Sequence, residues 1–335
     1  MNAIAVTGAT GLLGAHFLCQ AVSQFERVIA LYRTDFSQVK KIFEKYNADF
    51  GKVEWRKADL LNPVELEESL LGVSQVFHLA AEVDFQANPK LIEYNEQLTA
   101  NVVNACLHLG IKDLIHMSSV AALGRKKQGG LKSEEAQWEN SKQNSVYAIS
   151  KFRAEMEAWR GMVEGLQVTV IAPPIILAPG FWSQSSGQIL PRVANGLPFY
   201  TLGENGFIDV RDLAKATILL SKDPQARNEK FIVCGHNTSY QKLFNEMALA
   251  TNAKKPSIHL SSSLGKIVIP LEWLRSKITG SKPLLTRETL RSSQGKYAYS
   301  SQKLLSTLKF EFTPFAETIQ WMADWYKSDH PTNPQ

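Results

Sequence analysis

The stretch that decides the fold is Ala5-Val6-Thr7-Gly8-Ala9-Thr10-Gly11-Leu12-Leu13-Gly14. An apolar run leads into glycines spaced as GxxGxxG, and apolar residues at helical spacing follow, so the pattern predicts a strand, a tight turn and a helix. Glycines let the backbone approach a ligand closely, and the first turn of a helix offers N–H groups to an anion. The usual anion there is the pyrophosphate of a dinucleotide, and the alternative is a structural glycine turn.

Composition predicts a globular protein with a large core. The chain has 335 residues, of which 44% are hydrophobic and 21% charged, so it can hold two domains or one large α/β unit. The net charge of +5 is spread along the chain, and the densest basic cluster is Arg125-Lys126-Lys127. We therefore expect no nucleic-acid partner.

The cysteines and the hydropathy argue against several other classes. Cys19, Cys106 and Cys234 lie far apart and outside any CxxC or Cys/His pattern, so we expect neither a metal site nor a disulfide framework. The sequence shows no signal peptide before the first strand and no run of about 18 apolar residues that would span a membrane. These features predict a cytoplasmic protein without a membrane partner.

Strand and helix patterns alternate up to about residue 172. The predicted strands are Ile4–Thr7, Val28–Tyr32, Val53–Lys57, Gln75–Leu79, Asp113–Ser118 and Val168–Ile171. The predicted helices cover residues 12–24, 36–47, 63–71, 89–110 and 145–164. This alternation predicts an α/β protein with a Rossmann-type, doubly wound parallel sheet and right-handed crossovers.

The pattern changes after Pro173. Further helices are predicted near residues 187–195, 209–221, 239–250, 262–278 and 301–309, without the earlier rhythm of strands. We expect residues 1–173 to form the dinucleotide-binding domain, and residues 174–206 with 236–330 to form a smaller substrate-binding part. Segment 207–235 is predicted to return to the first domain, so the two parts are interleaved.

Tyr147 and Lys151 are four residues apart in a predicted helix and therefore share one face. A phenol titrates near 10, and a neighbouring ammonium favours the phenolate, which suits acid–base catalysis at an alcohol or ketone oxygen. The spacing alone carries little weight, because Tyr299 and Lys303 repeat it. The alternative for either copy is an exposed helix face.

Three features distinguish the first copy. The strand before it ends in Ser118-Ser119, and a hydroxyl there lies where open α/β sheets bind ligands, although such a serine can also simply cap a turn. Asn95 is a polar residue in an otherwise apolar helix. The strand that ends in His78 continues into Leu79-Ala80-Ala81, which are small enough for a cofactor to pass closely.

Together these segments resemble the extended short-chain dehydrogenase/reductase family over nearly the whole chain. The matching segments are TGATGLLG at 7–14, Asp59-Leu60, HLAA at 78–81, the helix with Asn95, Thr99 and Asn101, SSVAALG at 118–124 and YAISK at 147–151. Each segment alone is unspecific, whereas the set is typical of the family.

The resemblance implies roles for individual residues. Tyr147 would be the catalytic acid/base, and Lys151 would lower its proton affinity and hold the nicotinamide ribose. Ser119 would hold the substrate oxygen, and Asn95 would hold a water in a proton relay toward Lys151. The implied cofactor contacts are Gly8, Thr10, Gly11, Leu12, Leu13, Gly14, Arg33, Asp59, Leu60, Leu79, Ala80, Ala81, Lys151, Pro173 and Ile176.

The second predicted strand indicates which nicotinamide cofactor is used. NAD enzymes usually have an acid at its end, which accepts from the ribose 2′-hydroxyl. Here the strand ends at Arg33, and the first acid is Asp35. A guanidinium suits a 2′-phosphate, so we expect NADP(H), with NAD and a merely solvated arginine as the alternatives.

Two departures bear on the substrate. Sugar-nucleotide members of the family commonly carry an arginine and a tyrosine where this chain has Ala172 and Leu177, so the chain looks closer to the dihydroflavonol-reductase and 3β-hydroxysteroid-dehydrogenase branches. Four aromatic residues on predicted loops could stack on a ring substrate or merely seal the domain interface: Phe85, Trp138, Phe181 and Trp182. Segment 124–144 reads as a flap or as an unpacked insertion.

The sequence thus predicts an NADP(H)-dependent reductase or dehydrogenase for a carbonyl or secondary alcohol of an apolar, cyclic small molecule. One alternative is a nucleotide-sugar epimerase or dehydratase, whose diphosphate could meet Arg192, Arg275, Arg287 or Arg291. The other is a dinucleotide-binding sensor without turnover. A homodimer is one option, because the helices at 89–110 and 145–164 form a dimer bundle in many members, whereas others are monomers.

Overall fold

The computed structural model describes residues 3–83, 88–124, 130–141, 144–279 and 285–331. The strands are β1 (Ala3–Thr7), β2 (Arg27–Tyr32), β3 (Val53–Lys57), β4 (Gln75–His78), β5 (Asp113–Met117), β6 (Leu131–Lys132), β7 (Gln167–Ala172), β8 (Ile175–Leu177), β9 (Phe199–Tyr200), β10 (Glu204–Asp209), β11 (Glu229–Ile232), β12 (His236–Ser239), β13 (Ile258–His259) and β14 (Ala298–Tyr299). The helices are α1 (Leu12–Ala21), α2 (Ser37–Tyr46), α3 (Pro63–Ser69), α4 (Lys90–His108), α5 (Val146–Val163), α6 (Ile189–Ala194), α7 (Val210–Lys222), α8 (Tyr240–Ala250), α9 (Ser262–Thr279), α10 (Arg287–Gln294), α11 (Gln302–Thr307) and α12 (Phe315–Asp329).

Seven parallel strands form the main sheet in the order β11-β7-β5-β4-β1-β2-β3. The predicted Rossmann-type fold class is confirmed. The strand order reverses beside β1, which lies between β4 and β2. In open α/β sheets, ligands bind at such a switch point, outside the carboxyl ends of the strands. The glycine turn that follows β1 is therefore at the place where this fold opens a crevice.

Both faces of the sheet are covered, as its near-continuous apolar strands require. One apolar cluster joins the sheet to α1, α2 and α7, and it includes Phe17, Phe43 and Leu213. The other cluster joins the opposite face to α3, α4 and α5, and it includes Val102 and Ala158. All five residues of β1 are buried.

A smaller sheet of β12, β10 and β8 lies beside the main one, with β10 parallel to β8 and antiparallel to β12. The helices α6, α8 and α12 pack together in its core. Of segment 207–235, β11 pairs with β7 and forms the edge of the main sheet, and α7 packs against α1. Strand β10 instead belongs to the smaller sheet.

His16 on α1 connects the two sheets. Its Nε2 lies 3.0 Å from the Pro179 carbonyl oxygen, which can only accept, so Nε2 carries the proton. Its Nδ1 therefore accepts from the Tyr46 hydroxyl at 2.8 Å. Burial lowers the pKa of His16 to about 4, which keeps the ring neutral. The ring also meets Trp321 and Trp325 of α12, so this helix closes over α1.

Among the described residues, every helix is too short or too polar to cross a membrane.

Candidate active site

The glycine turn is built so that only glycine fits at two of its positions. Gly8 has a φ of +68°, and a Cβ there would lie 2.6 Å from the backbone nitrogen of Ala80. At Gly14, a Cβ would lie 2.1 Å from the carbonyl oxygen of Gly8. The turn is closed by a hydrogen bond from the Gly11 N–H to the Gly8 oxygen, 3.0 Å long. Backbone, rather than side chains, therefore lines this crevice.

Helix α1 begins directly after this turn. Its N-cap is Gly11, no described side chain caps it, and its first turn contains no acid. The first N–H groups of a helix have no partner within the helix, and the helix dipole favours an anion at this end. Thr10, Gly11 and Leu12 are half-buried, whereas Leu13 is buried. These residues fit the pyrophosphate of a dinucleotide.

The end of β4 forms the opposite wall of the crevice. The Leu79 N–H donates to the Thr7 carbonyl at 3.3 Å, and the Ala80 N–H donates to the Thr7 hydroxyl at 3.3 Å. Leu79, Ala80 and Ala81 are half-buried beside Gly8. A ligand that lies on the glycine turn would therefore pass along this segment.

A chain of buried polar side chains fixes the strands beneath the crevice. The Thr99 hydroxyl donates to the Asn95 carbonyl, so His78 Nε2 must donate to Thr99, at 3.0 Å. The Thr7 hydroxyl then donates to His78 Nδ1, at 2.8 Å. Burial, with a smaller effect of the Lys151 charge, lowers the pKa of His78 to about 3. The ring is thus neutral, and it ties β1 to β4 and to α4.

Asn95 uses its side chain to hold the loop after β4. Its Oδ1 accepts from the Glu82 N–H at 2.8 Å, while Nδ2 donates to the Glu82 carbonyl at 3.0 Å and to the Ser150 hydroxyl at 3.2 Å. Both amide protons are therefore engaged, and one lone pair of Oδ1 remains for a water. The structure gives Asn95 a bracing contact, and its role in a proton relay stays a prediction.

The Ser119 and Tyr147 side chains, 28 residues apart in the chain, meet at the carboxyl end of β5. Ser119 follows that strand, and its hydroxyl also accepts from the Ala121 N–H at 3.1 Å. Tyr147 lies in the first turn of α5, which the Ser145 side chain caps by accepting from the Ala148 N–H. The Ser119 hydroxyl lies close enough to the Tyr147 phenol to lower the pKa of that phenol. Two hydroxyls that could face one substrate oxygen are thus side by side.

Lys151 is buried one turn further along α5, and its Nζ donates to the Met117 carbonyl at 2.7 Å. Burial lowers its pKa to about 8, and the Glu155 carboxylate opposes that shift. Burial raises the pKa of Tyr147, and the Ser119 hydroxyl opposes the rise. The expected lowering of the Tyr147 pKa by Lys151 stays a prediction.

Sequence reasoning missed a buried ion pair next to this centre. Glu155, on α5, accepts from Lys230 of β11 at 2.7 and 2.9 Å, from the Ser118 hydroxyl at 2.5 Å and from Trp159 Nε1 at 3.2 Å. A buried carboxylate is tolerated when it is paired and hydrogen bonded in this way. The pair anchors α5 to the strand end that carries Ser119.

His116 of β5 is a buried histidine whose hydrogen-bonding groups are not satisfied by the described residues. In β5 it lies opposite His78, with ring centroids 5.4 Å apart, and opposite Val170, which in turn lies opposite Lys230. Neither ring nitrogen has a hydrogen-bond partner among the described residues. Burial and the charge of Lys151 keep the pKa of His116 well below its usual value. The ring is therefore neutral.

Arg33 lies beyond the end of β2, exposed, and its Nη1 donates to the Tyr94 hydroxyl at 2.9 Å. The carboxylate of Asp35 is engaged by the backbone N–H and the hydroxyl of Ser37, at 3.1 and 2.5 Å. The guanidinium therefore stands nearest the strand end, while the acid is turned to the start of α2. This arrangement fits a 2′-phosphate better than a 2′-hydroxyl.

The loop after β3 is held to α4. Asn101 donates to the Leu60 carbonyl at 2.8 Å, and the Asp59 carboxylate accepts from the Leu61 N–H at 3.0 Å. Both Asp59 and Leu60 are half-buried. On the other side, Pro173 is buried and its carbonyl accepts from the Val120 N–H, while Ile176 is half-buried in β8.

Comparison with known proteins supports the resemblance. The model of the NAD dependent epimerase/dehydratase family matches residues 4–235, which include the glycine turn, Ser119, Tyr147 and Lys151. The chain belongs to this family. It is the family of the extended short-chain dehydrogenases/reductases, so the protein is an NAD(P)-dependent enzyme of that type.

Individual relatives agree with this assignment. The chain is 24% identical over 337 residues to a putative dihydroflavonol 4-reductase from Synechocystis sp., with 96% of this chain and 94% of the relative covered. It is 26% identical to 3beta-hydroxysteroid-dehydrogenase/decarboxylase isoform 1 from Arabidopsis thaliana, with 82% and 67% covered. The crystal structure of gox2253 superposes with a TM-score of 0.82 at 25% identity, and 99% and 100% of the two chains are covered.

In this fold, the aromatic residues on the described loops pack against other parts of the protein. Phe181 is buried in the core beside α1, and Trp182 donates to Asp329 at the end of α12. Trp138 stacks on Phe152 of α5, with ring centroids 4.3 Å apart. These contacts favour the sealing alternative for three of the four residues, whereas Phe85 lies outside the described residues.

The described part of the expected flap is packed against the protein. Strand β6 pairs with β14, and Glu134 accepts from the Ile232 N–H at 2.8 Å. Lys132 also donates to the Gly124 carbonyl. These contacts argue against the alternative that residues 130–141 are an unpacked insertion.

Proposed function

We propose that the protein is an NADP(H)-dependent reductase or dehydrogenase for a carbonyl or secondary alcohol of an apolar, cyclic small molecule. The observation that carries this proposal is the proximity of the Ser119 hydroxyl to the Tyr147 phenol, beyond the carboxyl end of β5 and in the first turn of α5. The same edge of the sheet carries the glycine turn, in which Gly8 and Gly14 pack directly against backbone atoms of Ala80 and Gly8.

The side chains supply the proton chemistry. A bound nicotinamide supplies the hydride in the direction of reduction. The pKa of Tyr147 lies above its usual value, so the phenol is protonated at neutral pH and can give its proton to the carbonyl oxygen. The Ser119 hydroxyl can donate to the same oxygen and stabilise the negative charge that develops on it.

Lys151 is suited to support this transfer. Its pKa of about 8 means that the ammonium is charged at neutral pH but releases a proton more readily than an ordinary lysine. The Met117 carbonyl holds its Nζ one helical turn from Tyr147. Lys151 is therefore placed to stabilise the phenolate that remains after the proton has been given away.

The preference for NADP(H) is supported by Arg33. The guanidinium is exposed beyond β2, whereas the Asp35 carboxylate is hydrogen bonded to Ser37. A guanidinium forms paired hydrogen bonds with phosphate oxygens, so a 2′-phosphate would gain a partner that a 2′-hydroxyl does not need.

The apolar substrate class is supported by residues on the substrate side. Ala172 and Leu177 are buried, and neither can bind a phosphate. Arg192, one of the four arginines that could meet a diphosphate, is paired with Glu272 at 2.7 Å. The relatives named as dihydroflavonol and hydroxysteroid enzymes also favour a ring-shaped substrate over a nucleotide sugar.

Oxidation of NADPH by a panel of cyclic ketones tests the proposal. We expect turnover with at least one ketone and a Kd for NADPH about tenfold below that for NADH. Arg33→Ala should abolish this preference. Arg27→Ala, at the exposed other end of β2 where the guanidinium pairs with Glu54, is the matched control and should keep it.

Three results would contradict the proposal. Equal affinity for NADH and NADPH would contradict the proposed role of Arg33 in binding the 2′-phosphate. Conversion of a nucleotide sugar on a retained cofactor, with no net change in absorbance, would indicate an epimerase instead. Tight binding of NADPH with no turnover of any substrate class would indicate a sensor.

A further inference from the structure

Helix α9 has small and polar residues on its protein-facing side, beside the half-buried Leu264, Val268 and Ile269. A Cβ on the buried Gly265 would lie 2.2 Å from Leu290 of α10, so the two helices are in close contact there. About two and three turns after Gly265, Glu272 pairs with Arg192 of α6, and the buried Ser276 donates to the Trp273 carbonyl. An ordinary surface helix would place its apolar residues on this face.

Four other apolar residues of α9 form a stripe on the solvent side. Ile267, Leu271, Leu274 and Ile278 follow the spacing i, i+4, i+7, i+11, so they lie on one face of the helix. Their exposed fractions are between 51% and 77%. Single exposed apolar residues are normal, but a continuous stripe along a helix marks an interaction surface.

Basic and aromatic residues border this apolar stripe. Lys266, Lys277 and Trp273 are exposed along one flank, with the Lys277 ammonium 5.6 Å from the Trp273 ring centre. Glu272 is the one acid in the helix, and it is turned inward to Arg192. The solvent-facing half of α9 thus combines apolar side chains with positive charge.

We propose that the apolar stripe of α9 binds the surface of a bilayer that contains anionic lipids, with the helix lying in the interface. Leucine, isoleucine and tryptophan side chains would enter the acyl boundary, and Lys266 and Lys277 would meet the headgroups. The helix does not span, in agreement with its length and polarity. This proposal replaces the expectation of no membrane partner and does not rest on the proposed function.

Charge complementarity favours the bilayer over a second copy of the chain. If two α9 stripes packed on each other, the lysines of both copies would border one apolar interface, and α9 offers no outward carboxylate to pair with them. Anionic headgroups supply that missing charge over the whole flank.

Flotation of the full-length protein with lipid vesicles tests the proposal. The probes are phosphatidylcholine vesicles with and without about 30 mol % phosphatidylglycerol. We expect at least about tenfold stronger partitioning to the anionic vesicles. The double variant Leu271→Gln/Leu274→Gln should lose at least about tenfold in partitioning, and Lys266→Glu/Lys277→Glu should abolish the preference for anionic lipid. All four side chains are exposed, so the variants should fold.

Matched controls lie on other helices. Leu249→Gln on α8 and Lys41→Glu on α2 change equally exposed side chains outside the stripe and should leave flotation unchanged. Absence of the wild-type protein from the anionic vesicle fraction would overturn the proposal. So would a loss of binding in the controls equal to that in the α9 variants. A concentration-dependent dimer that Leu271→Gln/Leu274→Gln dissociates would assign the stripe to a second copy instead.

Discussion

Two regions of the molecule carry a tyrosine and a lysine four residues apart, and they differ completely in structure. Tyr147 and Lys151 both lie in α5, whose first turn begins at Val146, so their side chains share a helix face. Tyr299 ends β14, whereas Lys303 lies in α11, beyond a break of two residues. The second lysine pairs with Glu229 near the surface. The comparison shows that the backbone around a motif, rather than its spacing, decides whether the two side chains can act together.

The surroundings of the two tyrosines differ as well. Tyr147 lies near Ser119, which follows the carboxyl end of β5. Beside Tyr299, Ser301 uses its hydroxyl on the backbone of Cys234, with distances of 2.8 and 2.9 Å. The Ser119 hydroxyl is therefore available to a ligand, whereas the Ser301 hydroxyl satisfies the backbone groups of Cys234.

The largest effect should follow from removing the two phenolic hydroxyls in turn. Tyr147→Phe should lower kcat by about 1,000-fold, because it removes the proton donor, while the Kd for NADPH changes less than about twofold. Tyr299→Phe should leave kcat of the folded protein unchanged. Steady-state kinetics and a fluorescence titration with NADPH measure both. Comparable losses of turnover and of binding in Tyr147→Phe would reject its assigned role.

The lysines should differ in both activity and stability. Lys151→Met should lower kcat by about 100-fold, yet raise the free energy of unfolding at pH 7 by about 1–2 kcal/mol, because a buried ammonium disappears. Lys303→Met, at the surface, should change that free energy by less than about 0.5 kcal/mol. Urea unfolding is the measurement. A destabilised Lys151→Met protein would show that the ammonium supports the fold.

The pH dependence sharpens this test. The folded pKa of Lys151 is about 8, below the value for an unfolded lysine, so the unfolded state binds more protons between these two values. The wild-type protein should therefore gain stability relative to Lys151→Met as the pH rises above about 8. A stability difference that is constant across this range would contradict the buried-ammonium account.

A smaller effect on turnover is expected for the serines. Ser119→Ala should lower kcat by about 10- to 100-fold and raise the pKa of Tyr147 further, which a pH profile of kcat would show as a shift to higher pH. Ser301→Ala should keep kcat and lose about 1–2 kcal/mol of unfolding free energy, because two backbone groups of Cys234 lose their partner. Equal kinetics in the two variants would contradict the comparison.

The last comparison concerns the two imidazoles beneath the active site, for which we predict changes only in the free energy of unfolding. His116→Leu should raise the free energy of unfolding by up to about 1 kcal/mol, because its ring nitrogens have no partner among the described residues. His78→Leu should lower it by about 2 kcal/mol, since the Thr7 and Thr99 hydroxyls lose a buried partner. Thermal unfolding compares the two. A loss of stability in His116→Leu would show that a bound group pairs with the ring.

Local patterns made much of the fold predictable. The six strands predicted before Pro173 lie within one residue of their observed limits, because apolar runs bounded by turn residues determine them locally. Helix α12 was missed. Its Trp321 and Trp325 pack against His16, so its burial depends on contacts with the distant helix α1. Strands β8 and β10 were missed for a similar reason, because they pair with each other across about 30 residues of sequence, and β8 has only three residues.

The site was predictable only in part. The glycine turn and α5 are continuous in sequence, so the crevice and the Tyr147–Lys151 face follow from spacing. The pair of Glu155 with Lys230 depends on β11 joining the sheet beside β7, which periodicity does not reveal. Lys230, next to the apolar pair Phe231-Ile232, was the available signal. Likewise, the pKa of Tyr147 depends on its burial and on the nearby Ser119 hydroxyl, which are properties of the folded protein.

A crystal structure of the protein with NADPH bound tests the central claim most directly, namely that Ser119 and Tyr147 meet beside the reactive ring of a dinucleotide. We predict that the diphosphate lies against the turn from Gly8 to Leu13, and that the nicotinamide ring lies within about 4–5 Å of the Tyr147 hydroxyl. A nicotinamide placed elsewhere, or a Tyr147 side chain turned away from it, would contradict the account.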